Sequence, residues 1–485
     1  MKRDISQLGE KEYDVVVIGA GMFGVCAAWE AAHRGLSVAL VERGDFCGAT
    51  SAHHFKMVHG GIRYLQHGDI PRIRESSRER SAFLRIAPHL VQPLPILMPT
   101  YGHGMKGKEV LGLGMSVYDL ITADRNLGIP DHQRKIPGSY FLSSEETLNL
   151  FPGIEMENLT GGAVFCDAQM YNPARLALSI LHSAVEFGAV AINYVEATGF
   201  VQQNGKVTGV RLRDVLDGQP FEVRGKMVLN TAGPWASGLL ERTLKIQLNP
   251  SPAFSRDAAF VIRRKPEHDH ALAAVSKTKD VDVLIDRGGR HLFIAPWLDR
   301  DYTLIGVWHI VWGESKDKVY VTEEELSDFI KEVNEAYPPL QVSIDEVTMI
   351  NTGLTLFGES IPGSKRMSFG KRSLLIDHAK THSLDGLISL IGVRATIARG
   401  MAEKAIGVIS QKIGKRVAKS KSQTTPIYGG DMEIFEDYLR NANQKQPYSI
   451  NEKTMRALVH NHGTQYTRVL NYIAEDAPLS AQIGD

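Results

Sequence analysis

Cysteine is scarce in this sequence, and long apolar runs are missing from it. The 485 residues include 3 cysteines, Cys26, Cys47 and Cys166, and no C-x-x-C pair occurs among them. This spacing argues against a disulfide framework or a structural metal site, and it favours a reducing, cytoplasmic setting. No uncharged apolar stretch of about 18 residues occurs, which predicts no membrane-spanning helix and leaves peripheral attachment open.

An excess of charge of either sign is also missing. The chain has 55 Lys and Arg residues against 55 Asp and Glu, a formal net charge of zero. A general nucleic-acid binder normally carries a basic excess, so we expect no nucleic-acid partner. The length and the 43% of hydrophobic residues are typical of a globular chain with two lobes. Residues 1–12 are polar and charged, which predicts a tail and no signal peptide.

The first recognisable unit is a βαβ pattern in residues 13–42. An apolar, β-branched run from Tyr13 to Ile18 leads into G-A-G-M-F-G at positions 19–24, and an alanine-rich segment follows. A stop at Gly35 precedes a second apolar run that ends in Glu42. This order predicts strand, tight turn, helix and strand, and the glycine spacing within it is typical of dinucleotide binding.

Each residue of that motif has a physical role. Gly19 permits the turn, Gly21 lets a pyrophosphate approach the backbone, and Gly24 lets the helix pack on the strand. The helix N-terminus offers N–H groups to the phosphates, and the Glu42 carboxylate can accept hydrogen bonds from the ribose hydroxyls. FAD and NAD share this unit, so the choice between them depends on residues further along the chain.

Two segments that follow carry a family resemblance. They are G-A-T-S at 48–51 and K-M-V-H-G-G-I-R-Y-L at 56–65. The sequence resembles the FAD-dependent glycerol-3-phosphate dehydrogenases of the D-amino-acid-oxidase-like flavoprotein superfamily. The resemblance covers most of the chain, since it continues through residues 80–95, 229–235, 294–297 and 392–403. It implies FAD as the cofactor, extended along a first lobe, and a small anionic substrate held between the flavin and a second lobe.

The resemblance and the residue patterns together predict an α/β fold with interleaved lobes. The predicted division has a tail (1–12), a Rossmann-like FAD-binding lobe (13–90, 160–250 and 350–417), a strand-rich substrate lobe (91–159 and 251–349) and a short C-terminal helical region (426–485). That last region resembles only the beginning of the family's longer cap, which predicts a shortened cap or an incomplete sequence.

Local signals add elements to this division. Helices are predicted over 173–187 and 322–337, and Asn204-Gly205 predicts a hairpin. A strand over 386–391 should turn at Gly392 into a helix. A basic segment at 56–85 holds seven Lys or Arg residues against three acids, and we interpret its charges at 72–80 as a solvated helix face.

The resemblance implies a set of residues around the flavin. The Thr50 and Ser51 hydroxyls can bond polar atoms of the ring, and paired glycines let backbone lie against its edge. The helix after Gly392 should place its positive end near the flavin pyrimidine, with Arg394 standing where the family usually has Lys. The predicted cofactor contacts are Gly19, Gly21, Gly24, Glu42, Arg43, Thr50, Ser51, Gly60, Gly61, Ala232, Gly233, Trp235, Gly392, Arg394 and Thr396.

The resemblance also implies where the substrate binds. Arg63 occupies the position at which the family binds the substrate phosphate, and a guanidinium fork suits such a dianion. Lys56 and His59 are close by in the sequence. His59 can either contact the substrate or hold the glycine turn through a structural hydrogen bond.

Three departures from the family pattern indicate a remodelled pocket. Residues 256–259 are R-D-A-A in place of K-G-x-H, residues 353–356 are G-L-T-L in place of G-V-R-P, and residues 306–309 are G-V-W-H in place of G-T-T-D. A histidine and an arginine are thus lost, and His309 becomes the candidate proton acceptor unless the Trp-His pair serves packing. Arg256 becomes a second candidate for holding the anionic end. The predicted catalytic set is His309, Arg63, His59, Lys56 and Arg256.

These residues predict an FAD-dependent dehydrogenase that oxidises the secondary alcohol of a small anionic substrate. By resemblance that substrate is glycerol 3-phosphate, giving dihydroxyacetone phosphate, or it is a related polyol phosphate or hydroxy acid. The alternatives are C–N oxidation of an amino acid or secondary amine, and a flavin-binding protein without turnover.

Two further features of such an enzyme stay open. The resemblance implies a quinone acceptor, which would place the protein on the inner face of a membrane, while oxygen or a partner protein are alternatives. His53 and His54 stand beside the predicted flavin loop. They leave covalent attachment of FAD as an alternative to the noncovalent binding that we expect.

Overall fold

The computed structural model describes residues 2–103, 107–278, 289–357, 372–445, 448 and 450–481. The strands within these ranges are β1 (Tyr13–Ile18), β2 (Val38–Val41), β3 (Met57–Val58), β4 (Val91–Tyr101), β5 (Tyr140–Leu142), β6 (Leu159–Met170), β7 (Val190–Ile192), β8 (Val195–Gln203), β9 (Lys206–Asp214), β10 (Pro220–Asn230), β11 (Ala253–Ile262), β12 (Ala271–Val275), β13 (His291–Trp297), β14 (Tyr302–Val311), β15 (Val347–Phe357), β16 (Leu374–Asp377) and β17 (Leu387–Ile391).

The α-helices connect and cover these strands. They are α1 (Ser6–Gly9), α2 (Met22–His33), α3 (Ile70–Ile86), α4 (Lys108–Ile121), α5 (Ser144–Leu150), α6 (Pro173–Glu186), α7 (Ala236–Leu244), α8 (Glu323–Ala336), α9 (His378–His382), α10 (Ala398–Lys412), α11 (Phe435–Lys445), α12 (Glu452–His462) and α13 (Tyr466–Glu475). None of the described helices is long and apolar enough to cross a membrane.

The first sheet contains the predicted βαβ unit. Its strand order is β16-β17-β10-β1-β2-β7, and β1 pairs in parallel with both β2 and β10. Every residue of β1 and β2 is buried, as expected for parallel strands that are covered on both faces. Helices α2, α6 and α10 form one of these covers through Ala28, Ile180 and Ile406. Gln203 of β8 lies opposite Lys206 of β9, which confirms the predicted hairpin.

The second sheet is mostly antiparallel, in the order β15-β11-β14-β13-β12-β4-β6-β3. Helix α8 covers one face, where Phe329 packs on Phe260 and stacks on Trp308 with a centroid distance of 4.3 Å. A capping box between Thr322 and Glu325 begins this helix close to its predicted start. The structure thus confirms the predicted α/β class, a Rossmann-like sheet beside a strand-rich one.

The strand pairing corrects the predicted division of the chain at three places. Strand β3 pairs with β6, β6 pairs with β4, and β15 pairs with β11, so all three belong to the second sheet, whereas the prediction puts residues 57–58, 160–170 and 350–357 in the first lobe. An apolar strand pattern shows burial and does not show the partner, which explains these differences. The predicted tail also contains α1, whose Leu8 is fully buried.

The C-terminal helices α11, α12 and α13 have a small core of their own, which includes Phe435, Met455 and Leu470. Several contacts tie this group to the rest of the protein. Among them, the Phe435 N–H donates to Asp131, His460 Nδ1 lies 2.7 Å from the backbone oxygen of His89, and Arg175 of α6 donates to the Asn461 backbone oxygen. The predicted C-terminal helical region is therefore present and packs against both of the larger units.

Candidate active site

A single large cavity collects most of the predicted site residues. Its volume is about 1710 Å³, which exceeds the range of roughly 300–1,000 Å³ usual for small-molecule pockets. One wall follows the carboxyl ends of the parallel strands, at Gly19, Glu42 and Thr231. This is where open α/β sheets bind ligands. The opposite wall is the second sheet, which contributes Phe165 and Phe293.

The glycine turn leaves no room for side chains. Gly19 has φ +94°, and an added Cβ would lie 2.9 Å from the Thr231 backbone oxygen. A Cβ on Gly24 would lie 1.8 Å from the Gly19 oxygen, so this glycine permits the close packing of α2 on the turn. Gly21 caps α2 without a side-chain hydrogen bond, and the helix N-terminus is therefore available to a phosphate.

Glu42 and Arg43 line the cavity next to this turn. Glu42 accepts hydrogen bonds from the Ala20 N–H at 2.8 Å and the Gly44 N–H at 2.9 Å, and these bonds fix its carboxylate at the end of β2. The Arg43 guanidinium stacks 4.3 Å from the Trp235 ring centre. The Asp317 carboxylate holds both side chains in place. It forms an ion pair with Arg43 at 3.0 Å and accepts the Trp235 indole N–H at 2.7 Å. Together they form a polar and aromatic end that suits a nucleoside.

The Thr50 and Ser51 hydroxyls are occupied within the protein. Ser51 Oγ accepts the Met22 N–H at 2.9 Å, which places this hydroxyl at the N-terminus of α2. Thr50 Oγ1 accepts the Leu354 N–H at 3.1 Å and so ties the loop to β15. An added Cβ on Gly353 would lie 2.9 Å from Thr50 Cγ2, so a glycine permits this contact. Both residues line the cavity, and a hydroxyl that accepts one hydrogen bond retains further bonding capacity, so their bonding to the flavin ring stays a prediction.

Asp167, which the sequence patterns did not single out, organises the H-G-G segment. Its two oxygens accept the Gly60 N–H at 2.6 Å and contact His59 Nδ1 at 3.1 Å, and Arg80 donates to it at 3.1 Å. Burial alone would raise the pKa of Asp167, but the His59 hydrogen bond and the Arg80 charge outweigh burial and lower it. His59 therefore makes the structural hydrogen bond while also lining the cavity.

Gly60 and Gly61 differ in their relation to the cavity. Gly61 lines it, with φ +88°. Gly60 does not line it, because the space in front of its Cα is filled by Arg80, whose nearest guanidinium nitrogen would lie 2.2 Å from an added Cβ. The expectation of a Gly60 cofactor contact is therefore corrected to a packing role.

The segment after β17 forms another wall of the cavity. A Cβ on Gly392 would lie 2.0 Å from the Phe23 ring, so this glycine permits close packing on α2. The predicted helix does not begin at Gly392. A 3₁₀ turn (Ala395–Ile397) precedes α10, and the Thr396 hydroxyl accepts the His59 N–H at 3.1 Å. Arg394, 5.0 Å from the Tyr64 ring centre, also lines the cavity. Burial lowers its pKa.

The substrate end contains a His–Asp pair on neighbouring strands. Asp257 of β11 lies opposite His309 of β14, and His309 Nδ1 is 2.8 Å from Asp257 Oδ1. The Ser255 hydroxyl donates to the same oxygen at 2.6 Å. Arg63, from the 3₁₀ turn Ile62–His67, lines the same cavity, as does Asn351, whose buried Nδ2 has no hydrogen-bond partner among the described residues.

Arg256 and Lys56 do not reach the cavity, which corrects two predicted catalytic residues. Arg256 precedes Asp257 on β11, so the pleat points its side chain to the other face, where it is fully buried and bonds both oxygens of Glu325 at 2.9 and 3.2 Å. Lys56 is 2% exposed and its Nζ lies 4.5 Å from the Trp297 ring centre. Desolvation, with a smaller effect of Arg300, lowers the pKa of Lys56 to about 8.

His53 and His54 both line the cavity. His54 Nδ1 accepts the Lys56 N–H at 3.0 Å, and burial, together with the Lys56 charge, lowers the pKa of His54 to about 3. His54 is therefore a neutral imidazole with one nitrogen already bonded.

The sequence of residues 14–368 matches the profile of the FAD dependent oxidoreductase (DAO) family. The chain belongs to this family. FAD is its cofactor, and a family member of this kind oxidises a substrate and passes the electrons to an acceptor. The crowded glycine turn, the glycine N-cap of α2 and the Arg43–Trp235 stack fit a dinucleotide, so the residues present suit the family's cofactor.

Individual relatives within the FAD-dependent oxidoreductase family resemble this chain over most of its length. A glycerol-3-phosphate dehydrogenase of Synechocystis is 31% identical over 438 residues, which cover 88% of this chain and 75% of that protein. An alpha-glycerophosphate oxidase of Enterococcus casseliflavus is 27% identical and covers 97% of this chain and 83% of its own. The solved glycerol-3-phosphate dehydrogenase of Bacillus halodurans, complexed with FAD, superimposes with a TM-score of 0.72 at 24% identity over 97% of this chain and 79% of that one.

Proposed function

We propose that this oxidoreductase oxidises glycerol 3-phosphate, or a closely related polyol phosphate, at its secondary alcohol. The observation that carries the proposal is the His309–Asp257 pair, which lines the same cavity as Arg63. A base that is oriented by a carboxylate suits removal of a hydroxyl proton, and a guanidinium suits a phosphate dianion. Similarity to relatives named for glycerol 3-phosphate or glycerophosphate supports the same substrate.

Each residue has a distinct role in the proposed reaction. When bound, FAD supplies the chemistry of accepting a hydride from the carbinol carbon. His309 accepts the hydroxyl proton at a ring nitrogen, and Asp257 holds the ring in one orientation and stabilises the charge that the ring gains. Arg63 binds the phosphate and so fixes the position of the alcohol relative to the base.

The remaining cavity residues serve binding. We assign the diphosphate to the glycine turn and the N-terminus of α2, and the adenosine to Glu42, Arg43 and Trp235. The positive end of the 3₁₀ turn and α10, together with Arg394, favours negative charge on the flavin. The buried amide nitrogen of Asn351 on the cavity has no hydrogen-bond partner in the described part of the chain, which suits an oxygen of the substrate or cofactor.

Anaerobic titration of the purified holoprotein tests the substrate. We expect stoichiometric loss of the flavin's visible absorbance on addition of glycerol 3-phosphate and none on addition of glycine or proline. Reduction by the amines alone would favour C–N oxidation. Reduction by dithionite but by no alcohol or amine would favour a binding protein without turnover. Denaturing electrophoresis of the same sample would reveal covalent FAD as a fluorescent protein band.

We further propose a quinone as electron acceptor and peripheral contact with a membrane through α4. Leu113, Val117 and Leu120 follow one another at helical spacings of four and three, and the side chains of Leu113 and Leu120 are 69% and 76% exposed. The other side of α4 lines the cavity through Leu111 and Met115. An exposed apolar stripe on a helix whose other side lines the active cavity suits an acceptor that is dissolved in a bilayer.

Vesicle flotation with a paired activity assay tests this contact. In L113E/L120E we expect vesicle binding and quinone reduction to fall together at least severalfold, because charges on the stripe oppose insertion. Reduction of a water-soluble dye by the same variant should persist. Unchanged vesicle binding would reject α4 as the contact, and oxygen consumption by wild type without quinone would reject the acceptor.

A further inference from the structure

A second cavity adjoins the candidate active cavity, and we call it the basic cavity. Its volume is about 740 Å³. It shares Pro71, Arg72, Arg372, Val393 and Arg394 with the active cavity, so the two spaces meet along a common wall. Helices α3 and α10 and the segment after α4 form its other sides. The size suits a small organic anion.

The lining of the basic cavity carries a concentrated positive charge in a protein whose formal net charge is zero. The lining contains eight Lys or Arg side chains and two acids, Glu75 and Asp124. Three further acids, Asp69, Glu79 and Asp119, pair with lining cations from just outside the cavity, so the cations still outnumber the acids around them. Helix α3 supplies Arg74, Arg78 and Arg85 from one stripe, at spacings of four and seven. The charges predicted to be a solvated helix face therefore line a cleft.

The charge is only partly neutralised within the protein. Ion pairs hold five of the eight cations: Arg72 with Asp69, Arg74 with Asp124, Arg78 with Glu79, Arg125 with Asp119 and Lys404 with Glu75. Arg85 instead bonds the backbone oxygens of Gly128 and Gln423, which do not compensate its charge. The Arg78 side chain is 52% exposed, and Arg372 is exposed as well. The apolar residues Ile397 and Met401 also line the cleft. Low-dielectric walls of this kind focus the field of one-sign charge and raise the local concentration of a counter-ion.

Arg394 stands where the two cavities meet. Its guanidinium contacts Ser76 at 3.5 Å and lies over the Tyr64 ring. Its Nε is buried without a hydrogen-bond partner among the described residues. A buried donor without an acceptor is costly, and an anion in either cavity can supply the acceptor.

We propose that the basic cavity is a second binding site for phosphate dianions, which captures the phosphorylated substrate at the border of the active cavity. The inference rests on the proposed function for the identity of that substrate. Capture at this border raises the rate of productive encounter, so it acts on kcat/KM and depends on ionic strength. Inorganic phosphate should occupy the same site.

Rapid-mixing measurements of flavin reduction by glycerol 3-phosphate test the capture. In wild type the second-order rate constant should fall as salt is raised. In R78Q/R372Q we expect it to be lower by about three- to tenfold at low ionic strength and to vary less with salt. Arg211→Gln removes an exposed charge that lines neither cavity, so it is the matched control and should behave as wild type. Equal salt dependence in wild type and the double variant would overturn the proposal.

Failure of the proposed function gives a different pattern, because glycerol 3-phosphate then does not reduce the wild-type flavin at all. A calorimetric titration with inorganic phosphate tests the basic cavity independently of turnover. We expect the wild-type holoprotein to bind phosphate and R78Q/R372Q to bind at least one equivalent less. Equal phosphate binding would overturn the site. Loss of binding to phosphatidylglycerol vesicles with phosphate binding unchanged would assign the cleft to a lipid headgroup and would also overturn it.

Discussion

The two ends of the active cavity are built in different ways. The nucleotide end takes Gly19, Gly21, Gly24 and Glu42 from one βαβ unit, where neighbouring residues hold them in place. The substrate end assembles Arg63 and the His309–Asp257 pair from segments far apart in the chain. Cofactor binding is therefore encoded by local spacing, whereas the chemistry of the substrate depends on which strands pair.

The largest expected effect comes from crowding the nucleotide end. Gly24→Ala would force α2 away from the turn, because the new Cβ lies 1.8 Å from the Gly19 oxygen. We expect near-complete loss of FAD, measured as the ratio of flavin to protein absorbance. Gly407→Ala in α10 meets nothing within 4 Å, so this control should retain FAD and gain about 0.5–1 kcal/mol in unfolding free energy. Full FAD occupancy in Gly24→Ala would contradict the inference that cofactor binding depends on the local glycine spacing.

The next effect separates the substrate end from the cofactor end. His309→Gln should keep its FAD but lower the limiting rate of flavin reduction by about 10²- to 10⁴-fold, because the base is lost. Asp257→Asn keeps a hydrogen-bond acceptor and removes the charge, so its loss should be smaller, about 10²-fold. Stopped-flow reduction at saturating substrate measures both. A rate within twofold of wild type in His309→Gln would remove this histidine from the mechanism.

Two arginines offer a matched comparison, because Arg63 lines the active cavity and Arg256 points to the opposite face of the second sheet. Arg63→Gln should raise the KM for glycerol 3-phosphate by about 10- to 100-fold, because a charged hydrogen bond to phosphate is lost. Arg256→Gln leaves Glu325 without its buried partner and should instead lower the unfolding free energy by about 3 kcal/mol, with KM unchanged. Steady-state kinetics and thermal unfolding distinguish the two. A raised KM in Arg256→Gln would show that Arg256 contributes to substrate binding.

The smallest effect concerns Lys56. Its ammonium is buried, so the native state releases the proton near pH 8 while the unfolded state holds it to about pH 10.4. The unfolded state binds more protons in that window, and stability should therefore rise with pH across it. Lys56→Met should abolish this rise and add about 1 kcal/mol at pH 7, with flavin reduction unaffected. Denaturant unfolding of both proteins at pH 7 and pH 10 measures this change in unfolding free energy. A flat wild-type profile would argue against a buried charge.

The difference between the nucleotide end and the substrate end of the cavity also explains which site residues could be predicted from the sequence. Gly19, Gly21, Gly24 and Glu42 followed from the spacing of one motif, and a resemblance pointed to Arg63. Asp257 was missed although it directly follows Arg256, because a pattern such as R-D-A-A does not show which face of a strand points to the ligand. The available signal was the alternation of side chains along β11, which puts Asp257 and Arg256 on opposite faces. Pairing of β11 with β14 then puts Asp257 next to His309.

Asp167 illustrates the other kind of omission. It lies on β6, far in sequence from the H-G-G segment that it holds, and no local pattern connects the two. Lys56 and Gly60 were placed at the site through neighbours that do line the cavity. The Lys56 side chain packs on Trp297, and Arg80 fills the space in front of Gly60. Both partners come from other parts of the fold.

By itself, the sequence determined the βαβ unit and the α/β class, because these follow from apolar periodicity and from glycines at fixed spacing. The FAD-dependent family was indicated by a resemblance at residues 48–51 and 56–65. Only the tertiary structure decided that Asp257 meets His309, that Arg256 is bound by Glu325, and that the charges on α3 line a cleft beside the active cavity. The reason is physical. Backbone spacing is a local property, whereas the partner of a charged side chain depends on which distant strand or helix the fold brings against it.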